Sequence, residues 1–298
     1  TMTYLKCLVL VLALLAPLPT LAQTWPNRPS GANTINDWGH NAVVGDGWSD
    51  AYDTTGYQVT IQPDGTAPLS PANVLQQRFP AGLIGGNGGG GGPYINFGTS
   101  YPDIYEGFWF KTSCNFINHP VLTKIAWLHT PGNSIFLGMK GSATGPYYFS
   151  LNYQWADNDP NNSHLGFVGS GYLDGPGVQF GRCQWVRVEW YFKPSTTNTS
   201  RDGRYHLWVN SSHVAGTDQL NTSSFTRPGI TGTSYITIWG GTGGTNPTET
   251  YLYWDHTHLA TGGTVAGGSP PPPSPTIDNP PGAPGLVSGF TATVGGVQ

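Results

Sequence analysis

The chain has 298 residues with 43 Gly, 26 Pro, 11 Trp and 15 Tyr, but only 9% charged residues. That composition excludes a helical bundle, which draws on Ala, Leu, Glu and Lys, and suits an all-β scaffold with many tight turns. A formal net charge of −4 offers no basic stripe to neutralise phosphates and excludes nucleic acid as a partner.

Residues 1–22 have the anatomy of a secretory signal peptide. Lys6 supplies the positive end, and Cys7 to Ala16 forms an apolar run too short to span a bilayer. Pro17 and Pro19 break the run, and Thr20-Leu21-Ala22 fits a small-residue cleavage site. The reading is a secreted protein, extracellular or periplasmic, with no membrane insertion. Removal of Cys7 leaves Cys114 and Cys183. In an oxidising compartment an even pair is most simply one disulfide, here between neighbouring strands.

Residues 24–56 read as loop, with Trp25, Trp38 and Trp48 among Gly, Asn and Asp. Tyr57 to Gln62 alternates as a strand, Pro63-Asp64-Gly65 is a turn, and Val74 to Phe79 is a second strand. The Gly-rich run that follows lacks the Gly-Lys-Ser/Thr ending of a phosphate loop and reads as plain loop or a lip over a groove. Strands are expected at Asp103–Lys111, Val121–Thr130, Ser134–Met139, Tyr147–Trp155, Trp185–Phe192, Tyr205–Val209, Tyr235–Trp239 and Tyr251–Ala260. In the second of these, alternation puts Lys124, Ala126 and Leu128 on one face and Ile125, Trp127 and His129 on the other. Ten to twelve short strands at this spacing predict an all-β jelly-roll sandwich of two antiparallel sheets over residues 23–262. Residues 263–281 are a stiff Pro-rich linker, and residues 282–298 begin a further β module or a tail.

Trp185 to Phe192 alternates strictly. Val186, Val188, Trp190 and Phe192 point one way, and Arg187, Glu189 and Tyr191 the other. Lys193-Pro194 ends the strand and Asp202-Gly203 turns the chain into the next. A core needs only the greasy face, so a function would sit on the polar one.

This strand–turn–strand, with W-V-R-V-E-W-Y-F before D-G-R-Y-H-L-W-V-N, resembles that of the concanavalin A-like lectin/glucanase superfamily. The K-I-A-W-L strand and the closing Y-W-D-H-T-H-L-A run fit the same pattern over about residues 50–260. Within it, the polysaccharide-lyase-like branch carries an Arg-x-Glu-x-Arg strand. Arg187-Val188-Glu189-Trp190-Tyr191 matches its first two positions and departs at the third. The branch's Gln-Ile/Val-His and Tyr-x-Lys-x-Gly-x-Tyr strands are absent, as is the Glu-x-Asp-x-x-Glu strand of the glucanases.

The resemblance implies a monomeric, polysaccharide-active protein, most simply a lyase that cleaves uronic-acid-containing glycans by β-elimination. A non-catalytic, lectin-like carbohydrate-binding module on a tether is the alternative, and a structural or adhesion protein is a third reading. Elimination needs a group to neutralise the uronate carboxylate, a base for the C5 proton and an acid for the leaving oxygen. Arg187 or Lys124 suits the first role, His129 or Tyr153 the second, and Tyr191 or Tyr153 the third. Glu189, Asn152, Gln154 and Trp155 are candidates for holding substrate. A glycosidase would need two carboxylates, for which Glu189 and Asp255 are the only pair. No metal site is assigned: His256 and His258, at i and i+2, lack a third ligand. No cofactor is required, although Asp157, Asp159 and Asn161 leave room for a structural Ca²⁺ ion; the run reads first as a turn, without an EF-hand's glycine and terminal Glu.

Overall fold

The computed structural model describes residues 25–51, 59–69, 71–86, 91–131, 133–155, 166–167, 175–197, 200, 202–221, 229–241 and 243–266. The expected signal peptide, most of the expected Pro-rich linker, the last seventeen residues and the Asp157–Asn161 run lie outside them. Sixteen strands and no helix occur among the described residues. They are β1 (Asn33–Trp38), β2 (Trp48–Ala51), β3 (Val59–Pro63), β4 (Asn73–Phe79), β5 (Gly92–Tyr101), β6 (Ile104–Thr112), β7 (Thr123–Thr130) and β8 (Asn133–Gly141). After them come β9 (Tyr147–Trp155), β10 (Gly166–Phe167), β11 (Val186–Lys193), β12 (Gly203–Val209), β13 (Ser212–Asn221), β14 (Ile230–Ser234), β15 (Ile238–Trp239) and β16 (Thr250–Thr261).

They form the expected jelly-roll sandwich. One sheet runs β10-β13-β12-β11-β6-β16-β4-β3, with β1 added on β16; the other runs β2-β5-β14-β7-β8-β9, with β15 on β7. Every pairing among these described strands is antiparallel. The inward faces meet in one core. It takes Val186, Val188, Trp190 and Phe192 from β11, Ile125, Ala126 and Leu128 from β7, and Ile135, Leu137 and Met139 from β8. The greasy face of β11 is therefore the core face, as its alternation predicts.

Several strands escape sequence pattern. β1 and β2 fall in the stretch read as loop, β5 begins in the Gly-rich run, and β13 and β14 are rich in Gly, Ser and Thr. β1 is polar but for Ile35 and Trp38, and it is strand because its backbone pairs with β16, across a register shift between Thr34 and Asn36. That pairing joins residues more than 200 positions apart, and no local signal reports it. Conversely, Tyr235–Trp239 contributes only Ile238–Trp239 as strand.

The core carries a polar bridge between the sheets. Glu106 of β6 is fully buried and accepts hydrogen bonds from Trp190 Nε1 (3.0 Å), Tyr235 Oη (2.7 Å) and Thr233 Oγ1 (3.3 Å). Tyr235 Oη also meets Thr257 Oγ1 at 2.8 Å, and Thr257 meets His40 Nε2 at 3.2 Å. Burial outweighs these donors and pushes the Glu106 carboxyl up from 4.5 to about 7. Burial also lowers His40 to about 3, against the pull of its bond to the Trp254 carbonyl. The signs oppose. The folded state keeps a proton on Glu106 that the unfolded chain releases, so stability falls as pH rises from about 4.5 to about 7. The folded state keeps His40 neutral, so stability also falls as pH drops below 6.5. Thermal melting across pH should show a maximum between these limbs. The two slopes offset each other between about 4.5 and 6.5, so Glu106→Gln should remove the upper limb and leave stability rising with pH up to about 6.5. An unchanged limb in that variant would place the titration elsewhere.

Cys114 and Cys183 form the expected disulfide, with Cα atoms 4.8 Å apart and 69 positions between them in sequence. It joins the chain leaving β6 to the chain entering β11, two strands that also pair directly. Closing a loop of this length should stabilise the fold by about 4 kcal/mol in the chain-entropy account. The Cys114→Ser/Cys183→Ser double variant is expected to melt roughly 10 °C lower, checked by calorimetry.

Candidate active site

Lys124, Trp127 and His129 share one face of β7, which is not what simple alternation gives. The register of β7 on β8 shifts between Lys124 and Ala126. Such a bulge lets two residues oppose one, and the side chains beyond it change face. Ile125, Ala126 and Leu128 go into the core, while Lys124 stays outside with Trp127 and His129. The Lys124–Ala126–Leu128 face expected from sequence is corrected accordingly.

This outer face has an aromatic floor. Leu122, Trp127 and Phe136 form a small cluster of their own, flanked by Ile236 and Ile238. Lys124 Nζ stands 5.2 Å from the Trp127 ring centre and 4.9 Å from that of Phe136. Its pKa is lowered by burial, since apolar surroundings disfavour the charged form. Asn152 of β9 leans over the same rung. A Cβ on Gly138, the pairing partner of Lys124, would lie 2.9 Å from Asn152 Nδ2.

His129 sits at the other end of the row. Its Nδ1 meets Ser134 Oγ at 3.0 Å and its Nε2 meets Ser234 Oγ at 2.8 Å. Burial lowers its pKa to about 4, so the imidazole is neutral at ordinary pH. The Trp127 ring is nearly parallel to it, with centres 6.4 Å apart. Tyr94 of β5 meets it edge to face at 5.4 Å. A glycine makes this approach feasible. Gly232 pairs with both Asn96 and His129, and a Cβ there would come 3.0 Å from the Tyr94 hydroxyl. Sequence reading missed Tyr94, Ser134 and Ser234, because only the β5-β14-β7-β8 order brings them to His129.

On β9, Tyr153 pairs with Ile135, Gln154 with Ser134 and Trp155 with Asn133. Gln154 thus lies on the rung of His129, and Tyr153 one position off it. The side chains of Tyr153, Gln154 and Trp155 are not among those described.

Arg187, Glu189 and Tyr191 lie elsewhere, on the outer face of the nine-stranded sheet. The core separates them from Lys124 and His129, so these residues do not converge on one groove. Their face is also covered. Glu189 is fully buried and accepts from Asn27 N (2.9 Å), Asn27 Nδ2 (3.0 Å), Tyr105 Oη (2.6 Å) and Arg187 Nε (3.0 Å). Trp25 lies on Gly107, where any Cβ would be 2.6 Å from the indole. Arg187 also bonds to Ser211 Oγ, and its guanidinium lies 5.6 Å from the Trp109 ring centre. Tyr191 donates to Asp103 Oδ2 at 3.2 Å, and Asp103 in turn accepts from Thr261 and Gly262 N. Burial, with the Asp103 charge beside it, raises the Tyr191 phenol. The polar face of β11 thus ties the segments before β1 and after β16 to the sheet.

The Glu189–Asp255 pair offers no glycosidase geometry either. Asp255 is fully buried and held by Leu69 N (2.9 Å) and His256 Nδ1 (2.7 Å). His256 and His258 are separated by the register shift at Asp255/Thr257, and His258 turns to Asp37 at 3.4 Å. Among the described residues, no group of three His, Cys, Asp or Glu could hold a metal ion.

No protein-family model and no curated protein matches the chain. Solved structures that match include the alginate lyase Aly36B, at 17% identity and a TM-score of 0.48, covering 78% of this chain and 97% of that one. Another is alginate lyase vAL-1 from Chlorella virus, at 14% identity and a TM-score of 0.47, covering 69% and 89%. A third is the endo-β-1,4-glucuronan lyase of the fungus Trichoderma reesei, at 14% identity and a TM-score of 0.45, covering 72% and 94%. These likenesses are distant and assign no role to any residue here.

Proposed function

We propose that the outer face of the seven-stranded sheet cleaves a uronic-acid-containing polysaccharide by β-elimination, in an oxidising, extracytoplasmic compartment. The observation that carries this reading is the row Lys124–Trp127–His129–Tyr94, which sets a cation, an aromatic floor, a neutral imidazole and a phenol along one face. The Lys124 ammonium pairs with the uronate carboxylate and makes the C5 proton acidic. His129 takes that proton once the serine hydroxyl donating to its bare nitrogen turns aside. As C4=C5 forms and the C4–O bond breaks, Tyr94 donates its proton to the leaving oxygen. Asn152 beside Lys124 orients the sugar. The disulfide supports the compartment, since such bonds persist where conditions are oxidising.

The test is incubation of the purified chain with alginate, polyguluronate, polymannuronate and glucuronan, following the ultraviolet absorbance of the unsaturated uronate end. A rise establishes the lyase and names its substrate. A flat trace on all four, with retained binding to one of them, would replace catalysis by a carbohydrate-binding module on the same face.

A further inference from the structure

A second cleft opens on the other sheet. It has a volume of about 540 Å³ and is lined by the ends of β3, β4, β6 and β16 and by the Cys114–Cys183 disulfide. That size falls within the range of small-ligand sites, roughly 300–1,000 Å³. The Lys124–His129 face belongs to the seven-stranded sheet, so the two sites lie on opposite sides of the core.

Lys111 is one of the residues that line this cleft. Its ammonium is bonded to Asp64 Oδ2 and lies 3.2 Å from Thr66 Oγ1. Two aromatic rings flank it, Trp185 at 4.5 Å and Tyr253 at 5.0 Å from Nζ to ring centre. The Trp185 indole donates to Thr66 Oγ1 at 3.1 Å, which ties it to a residue of the cleft wall. The disulfide fixes the backbone two residues before Trp185, so that segment is pinned near the end of β6. Gln62 and Gln76 add amides to the wall, and the other lining groups carry no charge.

The electrostatics select the ligand. Asp64 is held below its ordinary pKa by its bonds to Lys111 and Thr66, against the effect of burial, so the pair is ionised but balanced. A balanced pair has no net charge to offer a carboxylate or an ammonium. It does offer a fixed acceptor beside a fixed donor, which is what a sugar hydroxyl, donor and acceptor at once, requires. Half-exposed aromatic faces beside such groups suit the apolar face of a pyranose ring. Tyr251, two positions from Tyr253 with ring centres 6.4 Å apart, extends the aromatic surface along β16.

We infer that this cleft binds an uncharged pyranose unit of a polysaccharide, apart from and independent of the catalytic face. It would hold the protein on a neutral glycan while the opposite sheet acts on uronates.

The test is affinity electrophoresis of the whole chain in native gels cast with xylan, mixed-linkage β-glucan or galactomannan, and separately with alginate. Retardation is expected in at least one neutral glycan. Tyr253→Ala should weaken it at least tenfold, and so should Gln62→Ala, an exposed substitution that leaves the fold alone. His129→Ala should leave it unchanged, which separates this site from the proposed active site. Absence of retardation in all three neutral gels would overturn the inference. So would retardation unaffected by both cleft substitutions, or a Tyr253-dependent retardation confined to alginate.

Discussion

His129→Ala is expected to lower the rate of uronate cleavage by a factor on the order of 10²–10⁴, the usual contribution of a positioned proton acceptor. Ultraviolet initial rates on the best polymer measure it. Tyr94→Phe, which removes only the proton donor and keeps the ring against His129, should reduce the maximal rate by a similar factor with little change in KM. Lys124→Ala should act on both rate and KM, because carboxylate pairing operates in the ground state and strengthens as charge moves toward the carbonyl oxygens. Lys124→Arg should recover part of the binding and little of the rate, since a planar, delocalised guanidinium does not place its charge where a compact ammonium does. The pH profile gives an independent check. His129 is neutral down to about pH 4, so activity should persist through pH 5 and fall only as the imidazole protonates near 4. At the upper end, loss of the Lys124 proton should set in below the ordinary lysine range. An acid limb near 6.5 would show an imidazole at its ordinary pKa, not the desolvated one that the buried His129 of this fold requires. Full activity in Tyr94→Phe would remove the phenol from the mechanism.

Glu189→Ala has the largest expected effect on stability. The carboxylate joins four donors from three separate parts of the chain, and its removal leaves Arg187 without its buried partner. Breaking a buried ion pair from one side costs about 3–5 kcal/mol, and a drop in melting temperature of roughly 10 °C would report it. Glu189→Gln should cost less, because the amide keeps one acceptor for Tyr105 or Asn27. If Glu189 held substrate instead, the alanine variant would melt normally and lose affinity. The two outcomes separate a structural tie from a binding role, with melting and KM read on the same preparation. The Glu106→Gln pH profile and the disulfide variant probe different energies in the same fold.

Much of the fold is legible in the residues themselves. The strict alternation Val186–Phe192 yields the core face of β11, and Lys193-Pro194 and Asp202-Gly203 mark where it stops and returns. Asp202 caps that return by accepting from Thr196 N at 2.8 Å and Ser200 Oγ at 2.7 Å, a local bond that local sequence can signal. Cys114 and Cys183 pair, as an even pair in an oxidising compartment suggests. The polar face of β11 reads differently once folded. Arginine, glutamate and tyrosine at alternate positions signal an exposed face, but they do not say whether the chain's own ends will cover it. Asn27 and Trp25 do cover it, from about 160 and 80 residues away.

What the sequence determined alone was the period-two pattern, the turns and the supply of chemical groups, because each depends on neighbours within a few residues. What tertiary structure decided was which polar groups come together. A bulge in β7 moved Lys124 to the side of Trp127 and His129, and the order β5-β14-β7-β8 brought Tyr94, Ser234 and Ser134 to one imidazole. The physical reason is that strand register and sheet order are set by backbone pairing between distant segments, where the energy lies in the assembled sheet and not in any one stretch of chain.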